Sequence, residues 1–520
     1  MEATVSKAEY EALKAQNNAL RHELDQLKRM LFGATSERFV PTTVPAEQLA
    51  LWPADSSTAE DGEVAKERIS YERRKRRTQP HPGRSPLPDH LPVRRVVVEP
   101  AEDTEGLVKI GEDRSRKLDY VPGKLEIIEC VRPRYARPAG SAAAEDSGLS
   151  PIVQAPVPDQ VLPKAIAGAG LLCQIVIAKY IDHLPLYRQA KMLARDFDWK
   201  VSTSTLGDWF AATCTLLEPL YAALQAQVLN TDYLQGDESR ITVLEKGKDK
   251  TKNPSHRFPA KKARKSHLGY MWVFRNPEAG GVLFAYRRGR GASVLNETLA
   301  DFRGYLQSDG YSAYTAYLKR HEGVVLISCL AHIRRKFFDA RSNHAELAEL
   351  ALGAIQYLYR IERIARDYGL SAERRAALRQ RYALPAYEGL LAWVKHQQRN
   401  NLKSGGIGKA LGYALNHLPR LRPYLDDGRV EIDNNQIENK IRPLALGRKN
   451  YLFAGSSEGA ERAAMMYSFF ATCKDNGVNP RQWLHDVLLR IGSHPIDRIK
   501  ELLPAAWKQA RQAAATEQEE

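Results

Sequence analysis

Two short segments of the chain repeat one another. Tyr233 to Ser239 reads YLQGDES and Tyr305 to Tyr311 reads YLQSDGY, so each runs a strand-like start into an aspartate, Asp237 or Asp309. Two carboxylates held close together repel and raise each other's pKa. A hard divalent cation such as Mg2+ or Mn2+ relieves that repulsion through oxygen ligands. Aspartates are common at strand ends because turns favour them; the echo of the pair, not either residue alone, points to metal chemistry. Phosphoryl transfer by two metal ions needs a further carboxylate, usually from a helix packed on the sheet. The stretch from Glu431 to Ser456, EIDNNQIENKIRPLALGRKNYLFAGS, offers Glu438, with Glu431 and Asp433 as nearby competitors. A capping box explains Glu438 as well: with Asn435 as N-cap it is the third helical residue, and Arg442 stands four residues on.

These acids are far apart in the chain, so a scaffold must bring them together. YLQGDESRITVLEK, HLGYMWVFRN and GGVLFAYRRGRG read as three strands, and SVLNETLADF as a helix. GYLQSDGYSAY then reads as a strand leading into a loop and helix, and GVVLISCLAHIRRKFF as a strand running into a basic helix. The order βββαβαβα is that of the ribonuclease H fold, one of several mixed sheets that would give it. In that fold the first and fourth strands are parallel neighbours, which would carry Asp237 and Asp309 to the same end of the sheet. Residues 339–428, rich in Ala, Leu, Arg and Tyr, read as a helical insertion that fills the long gap before Glu438. Downstream, ERAAMMYSFFATCKDNGVNPRQWLHDVLLRIG gives two helices split at DNGVNP, followed by a polar tail over 496–520.

Upstream, residues 155–229 are helical in pattern. LPLYRQAKMLARDF and STSTLGDWFAATCTLLEPLYAALQAQVL are joined by a turn at DWKV, with Ser202 or Thr203 as N-cap, in the manner of a helix-turn-helix. Helical hairpins mostly just pack, so DNA contact does not follow from this pattern alone. At the N-terminus, Tyr10, Asn17, Leu24 and Leu31 form one heptad series and Leu13, Leu20 and Leu27 a second, a coiled coil over 1–35 in which Asn17 favours a parallel dimer. Residues 36–86 read as a flexible linker with a basic block, ERRKRRT, and residues 87–140 as a small β-rich module.

Composition sets the partner class. Lys and Arg total 77 against 62 Asp and Glu in 520 residues, a net charge of +15 that favours a polyanion, nucleic acid first. A basic loop between Glu245 and Ser266, containing Lys261, Lys262 and Arg264, adds to that attraction. The five cysteines form no CxxC pair, which suits a reducing cytoplasm. The N-terminus lacks the pattern of a signal peptide. The longest apolar run, Ala165 to Ala178, contains Gln174 and is too short for a bilayer, so no membrane role is expected.

The ordered runs LFGATSERF, IGEDRSRKLDYVPGKLEI, KYIDHLPLYRQ, YLQSDGYSAY, CLAHIRRKF, DGRVEIDNNQIENKIRPLALGRKNYLFAGS and NGVNPRQWL resemble, from about Leu31 to Leu489, the transposases of bacterial insertion sequence 66 elements. The resemblance implies a multidomain α+β protein with a ribonuclease H-like mixed-sheet core. That core would begin over 230–338 and be completed over 429–495 after the insertion. It implies a DDE triad of Asp237, Asp309 and Glu438 binding two Mg2+ or Mn2+ ions. The implied activity is cleavage at the element's terminal inverted repeats and joining of the freed 3′-hydroxyl to target DNA by a homodimer or higher oligomer. His332, Arg334, Arg335, Lys336, Arg442, Arg448 and Lys449 would then meet DNA phosphates. A nuclease that cuts without joining, and a DNA-binding protein without chemistry, are the alternatives; all three acids of the triad are present.

The sequence departs from that family's pattern in the module over 87–140, where paired cysteines normally bind zinc. Here EPAEDTEGLVKIGED and VRPRYARPAG carry none of them. His81, His90 and Cys130 remain, one short of the four ligands a closed structural site requires. The expectation is a module that folds without zinc, held by Val96 to Val98 and Leu125 to Ile128 together with Leu107, Val108 and Ile110. Elemental analysis after dialysis against a chelator should find no stoichiometric zinc retained by this module; retention abolished by Cys130→Ser would overturn the expectation.

Overall fold

The computed structural model describes residues 123–128, 134–136, 152–154, 160–163, 165–245 and 266–519. The coiled coil over 1–35, the linker over 36–86, most of the module over 87–140 and the loop with Lys261, Lys262 and Arg264 lie outside the described residues. The chain divides into two compact units, one of them residues 55–156. In that unit β1 (Arg134–Ala136) pairs antiparallel with β2 (Ile152–Gln154), Tyr135 opposite Val153.

The other unit is α+β. Three helices lead into it: α1 (Ala169–Tyr180), α2 (Leu186–Phe197) and α3 (Thr203–Leu229). Ser202 caps α3 by accepting from the Thr205 N–H at 3.0 Å, and α2 ends at Asp198 in the left-handed region, φ 51°, which turns the chain between them. A sheet follows, built from β3 (Tyr233–Leu244), β4 (Ser266–Asn276), β5 (Gly281–Arg287), β6 (Gly304–Ser308) and β7 (Val324–Ser328). Helix α4 (Ala292–Thr298) joins β5 to β6, and α5 (Ser312–Leu318) joins β6 to β7.

The strand order is β5-β4-β3-β6-β7. The first three strands form an antiparallel meander, and β6 and β7 then add in parallel to β3. The first and fourth strands of the sheet are therefore parallel neighbours. Their register matches the sequence echo: Tyr233 stands opposite Tyr305, Leu234 opposite Leu306 and Gln235 opposite Gln307.

After β7 the chain makes helices α6 (Leu330–Ala340), α7 (Ala345–Asp367) and α8 (Ala372–Leu378), the last passing through a π-turn at Arg379–Ala383 into α9 (Leu384–Asn400). Helix α10 (Gly406–His417) and the short α11 (Pro423–Asp426) complete this helical block, which has its own core of Leu352, Ile355, Leu358, Tyr387, Leu411 and Tyr424. At its centre Glu362 and Arg379 form a fully buried ion pair with bonds of 2.7 and 2.8 Å. Arg379 also donates to the carbonyls of Tyr424 and Asp427 at 2.7 and 3.0 Å, so its remaining N–H groups are satisfied in the low-dielectric interior.

The chain returns to the sheet with α12 (Asn435–Tyr451), α13 (Ser457–Asp475) and α14 (Pro480–Arg490). The segment read as a polar tail is folded instead. A 3-10 turn at Ile496–Leu502 and helix α15 (Pro504–Glu519) seat Leu502, Leu503 and Trp507 in the main core, and Trp483 donates to the Leu502 carbonyl at 2.9 Å. These few apolar residues suffice to anchor a segment whose exposed side is polar. Among the described residues no helix is long and apolar enough to cross a membrane.

Strand β5 lies at the sheet edge, where its outer N–H and C=O groups would lack partners. Helix α13 covers it, and residues spaced four apart supply them. Ser468 accepts from the Phe284 N–H at 2.7 Å, Thr472 accepts from the Val282 N–H at 3.0 Å, and Asn476 donates to the Gly280 carbonyl at 2.9 Å. Replacing Ser468 and Thr472 by Ala and Val should leave two buried N–H groups unpaired, at about 1–3 kcal/mol each. Urea denaturation reads this directly; an unchanged midpoint would show that water or a shifted helix satisfies the edge.

Candidate active site

Side chains on a strand alternate between faces, so Tyr233, Gln235 and Asp237 share one face of β3. Tyr305, Gln307 and Asp309 share one face along β6, with Asp309 just past its end. In-register parallel pairing stacks these in layers, and each aspartate stands two residues beyond the paired glutamines. The glutamine layer is a buried hydrogen-bond network. Gln307 Oε1 accepts from the Tyr233 hydroxyl at 2.7 Å and from Gln235 Nε2 at 3.0 Å, while Gln307 Nε2 donates to the Glu431 carbonyl at 2.7 Å. The Glu431 N–H donates back to the Tyr233 hydroxyl at 3.0 Å. The network thus fastens the segment that precedes α12 to the two aspartate strands.

Asn434, fully buried, completes the attachment: its Nδ2 donates to the Gly236 carbonyl at 3.1 Å, one residue before Asp237. Helix α12 begins at the next residue, and Glu438 lies in its first turn. The capping box with Asn435 as N-cap, the alternative explanation of Glu438, does not form. Asn434 is the N-cap and turns its side chain to β3, and Asp433 accepts from the Asn435 N–H at 3.1 Å in its place. Glu438 is thereby left to face other charges.

The charges of Asp309 and Glu438 both act on Asp237. Burial pushes the Asp237 carboxyl well above its usual range, and the neighbouring Glu238, Asp309 and Glu438 push it further. Glu438 is likewise raised, by burial first, with His332 and Arg335 opposing and Asp433 and Asp309 adding to the shift. Glu238 is held separately, by Arg290 at 2.7 Å. Asp309 is fixed by the Tyr311 N–H, which donates to its Oδ1 at 2.9 Å, and by the Tyr413 hydroxyl, which donates to its carbonyl at 3.0 Å. Gly310 follows with φ +87°, and a Cβ there would lie 2.4 Å from His417 Cε1, so only glycine lets the chain turn so close to the insertion. Part-buried carboxylates whose charges converge on Asp237 are a donor set of hard oxygens, which fits Mg2+ or Mn2+. Among the described residues, the group of three potential ligands whose atoms all lie within 4.8 Å of one another is Cys329, His332 and Glu438; Asp237, Asp309 and Glu438 do not form such a group, although the charges of the last two act on the first.

Residues 164–462 match the model of the transposase IS66 family. The chain belongs to that family. Residues 19–96 match its transposase C of IS166 homeodomain and residues 468–505 its IS66 C-terminal element. Similar relatives occur in Sinorhizobium fredii. The uncharacterized protein y4jD is 35% identical over 95% of this chain and 96% of its own, and the uncharacterized protein y4hP is 32% identical over 95% and 90%.

In this IS66 transposase the cations expected around the acids divide by position. His332 Nε2 is 3.9 Å from Glu438 Oε1, and the charge of Arg335 also acts on Glu438. Lys336 lies over the Tyr413 ring at 5.4 Å, and the charge of Arg334 reaches Tyr359. Arg442 and Lys449 are exposed on α12, whereas Arg448 is half-buried and donates to the Arg240 carbonyl on β3. The competing acids have other partners: Glu431 accepts from Arg375 at 3.1 Å, and Asp433 accepts from the Tyr359 hydroxyl at 2.9 Å. Asn434, Arg375 and Tyr359 were not singled out in the sequence. The DNN run before Glu438 was the one local signal for Asn434; the other two sit in a helical block whose partners lie far along the chain.

Asn434→Ala should remove the bond that holds α12 to Gly236, with a cost of about 1–3 kcal/mol for the buried carbonyl left behind. Urea denaturation measures it. A variant as stable as the parent would show that the Tyr233, Gln235 and Gln307 network alone seats the helix.

Proposed function

We propose that this IS66 transposase is a DDE enzyme with a ribonuclease H-like core, in which Asp237, Asp309 and Glu438 hold two Mg2+ or Mn2+ ions. The observation that carries the proposal is the in-register pairing of YLQGD with YLQSD, joined by Asn434 to the helix bearing Glu438. Bound metal would supply Lewis-acid activation of water and stabilisation of charge on the phosphoryl oxygens. The protein's own part is to orient the carboxylates and to bring DNA against an acidic site. His332, Arg334, Arg335, Lys336, Arg442, Arg448 and Lys449, with the loop residues Lys261, Lys262 and Arg264, offset the repulsion between acids and the DNA backbone. Cleavage at the terminal repeats followed by joining of the 3′-hydroxyl to target DNA then uses one site twice. Helices α1 to α3 would serve DNA binding and the heptad pattern of residues 1–35 dimerisation, which a pair of element ends requires.

Incubating the chain with end-labelled terminal-repeat DNA, a supercoiled target and Mn2+ should give both cleaved and joined products. Asp309→Asn should lower cleavage by more than about 100-fold, since removal of groups that merely support a metal ligand costs about 10–100-fold. DNA retention by that variant, measured by gel shift, should be unchanged. Cleavage without joining would favour a nuclease, binding without cleavage a DNA-binding protein, and loss of binding in Asp309→Asn would refute the division of roles.

A further inference from the structure

Glu438 has a second set of neighbours whose chemistry differs from that of the aspartates. Cys329 and His332 stand three residues apart where β7 passes into α6, a spacing that turns both side chains to one side of the helix start. Their potential ligand atoms and a Glu438 carboxylate oxygen all lie within 4.8 Å of one another. His332 Nδ1 is buried with no hydrogen-bond partner, while its Nε2 faces Glu438 at 3.9 Å. Cys329 Sγ accepts from the Asn434 N–H at 3.2 Å, so two backbone segments hold it in place. The thiol is buried, but the side chains of His332 and Glu438 are 25% and 38% exposed, which leaves an approach from solvent.

We propose that Cys329, His332 and Glu438 form a site for a borderline-soft cation, Zn2+ above all, distinct from the oxygen-ligand site for Mg2+ or Mn2+. Thiolate, imidazole and carboxylate are the zinc ligand types, and three protein ligands leave a fourth position for water. Tetrahedral Zn2+ places such ligand atoms about 3.3–3.8 Å apart, a small inward adjustment from the separations here. Mg2+ has no preference for sulfur, so the two sites sort cations by ligand softness. On binding, the Cys329 thiol loses its proton to solvent and Zn2+ takes its place. Glu438 is then claimed by both sites. Zn2+ at this position withdraws the third carboxylate from Asp237 and Asp309 and acts as an inhibitor; this consequence rests on the DDE reading, whereas the zinc site itself does not.

Co2+ is the probe, because a cysteine thiolate bound to it absorbs in the near ultraviolet. Titrating the full chain with Co2+ should produce this band, and Zn2+ should displace it. Cys329→Ser and His332→Ala should each remove the band and weaken Zn2+ affinity at least about tenfold, the lower bound for loss of even a supporting group. His332 is a quarter exposed, so His332→Ala remains informative if Cys329→Ser fails to fold. A band and an affinity unchanged in both variants would overturn the site. Mn2+ binding followed by electron paramagnetic resonance tests the competition: Zn2+ should release Mn2+ from the parent chain. Mn2+ retained beside bound Zn2+ would overturn the sharing of Glu438. Failure of Mn2+ to bind at all, with the Co2+ band intact, would refute the DDE reading and leave the zinc site standing.

Discussion

The parallel register of β3 and β6 is the constraint on which the candidate site depends. A slip of one residue would turn the Tyr, Gln and Asp side chains of one strand to the opposite face. Gln235 and Gln307 make such a slip costly, because both amides are fully buried and Gln307 Oε1 accepts from Gln235 Nε2 and the Tyr233 hydroxyl together. Displacing either strand would leave buried polar groups unpaired, the expensive alternative in a low-dielectric interior. The register is thus fixed by groups that do no chemistry, two residues away from the acids.

The same network makes the third carboxylate dependent on the first two strands. Gln307 and Tyr233 bond the backbone of Glu431, and Asn434 bonds the backbone of Gly236, so the approach to α12 is tied down on both sides of Asp433. Behind that segment, Arg375 joins Glu431 to the buried Glu362, itself paired with Arg379. A half-satisfied polar cluster would be worse than an apolar one. Here Arg379 spends its donors on Glu362 and on the carbonyls of Tyr424 and Asp427, which fixes how the helical insertion closes on itself.

Much of this was legible in the sequence because it depends on local pattern. The echo of YLQGD and YLQSD gave the paired strands, strand-like runs bounded by a basic loop and the PEAG turn gave β3 to β5, and the Ser202 cap and the DWKV turn gave the helical hairpin. What could not be read were relations between residues far apart. Nothing local ties Arg375 to Glu431 or Tyr413 to Asp309, since both bonds form only after the insertion has packed. Asn434 was passed over for Asn435 because either fits an N-cap, and only the approach of β3 gives Asn434 a better partner for its side chain. The C-terminal segment misled for a different reason: its composition is polar overall, while four apolar residues, Ile499, Leu502, Leu503 and Trp507, decide where it goes.

The insertion is better understood as a brace than as an interruption. Its helix α10 donates the Tyr413 hydroxyl to the Asp309 carbonyl, and His417 of the same helix packs against Gly310 and bonds Ser328 at 3.1 Å. Burial and the nearby Arg420 push His417 down to about 4, so it packs as a neutral ring near neutral pH. Its helix α7 donates the Tyr359 hydroxyl to Asp433, and α8 supplies Arg375 to Glu431. One helical block therefore touches the loop after the β6 aspartate and the segment before the glutamate helix. Strands β3 and β6 are held to each other by the sheet, but α12 reaches them from 126 residues beyond Asp309, and its backbone pairing with β3 is a single bridge after its far end, Val243 with Ala454. Placing a separately packed core between β7 and α12 adds a constraint at the glutamate end of the helix, because the block bonds both loops.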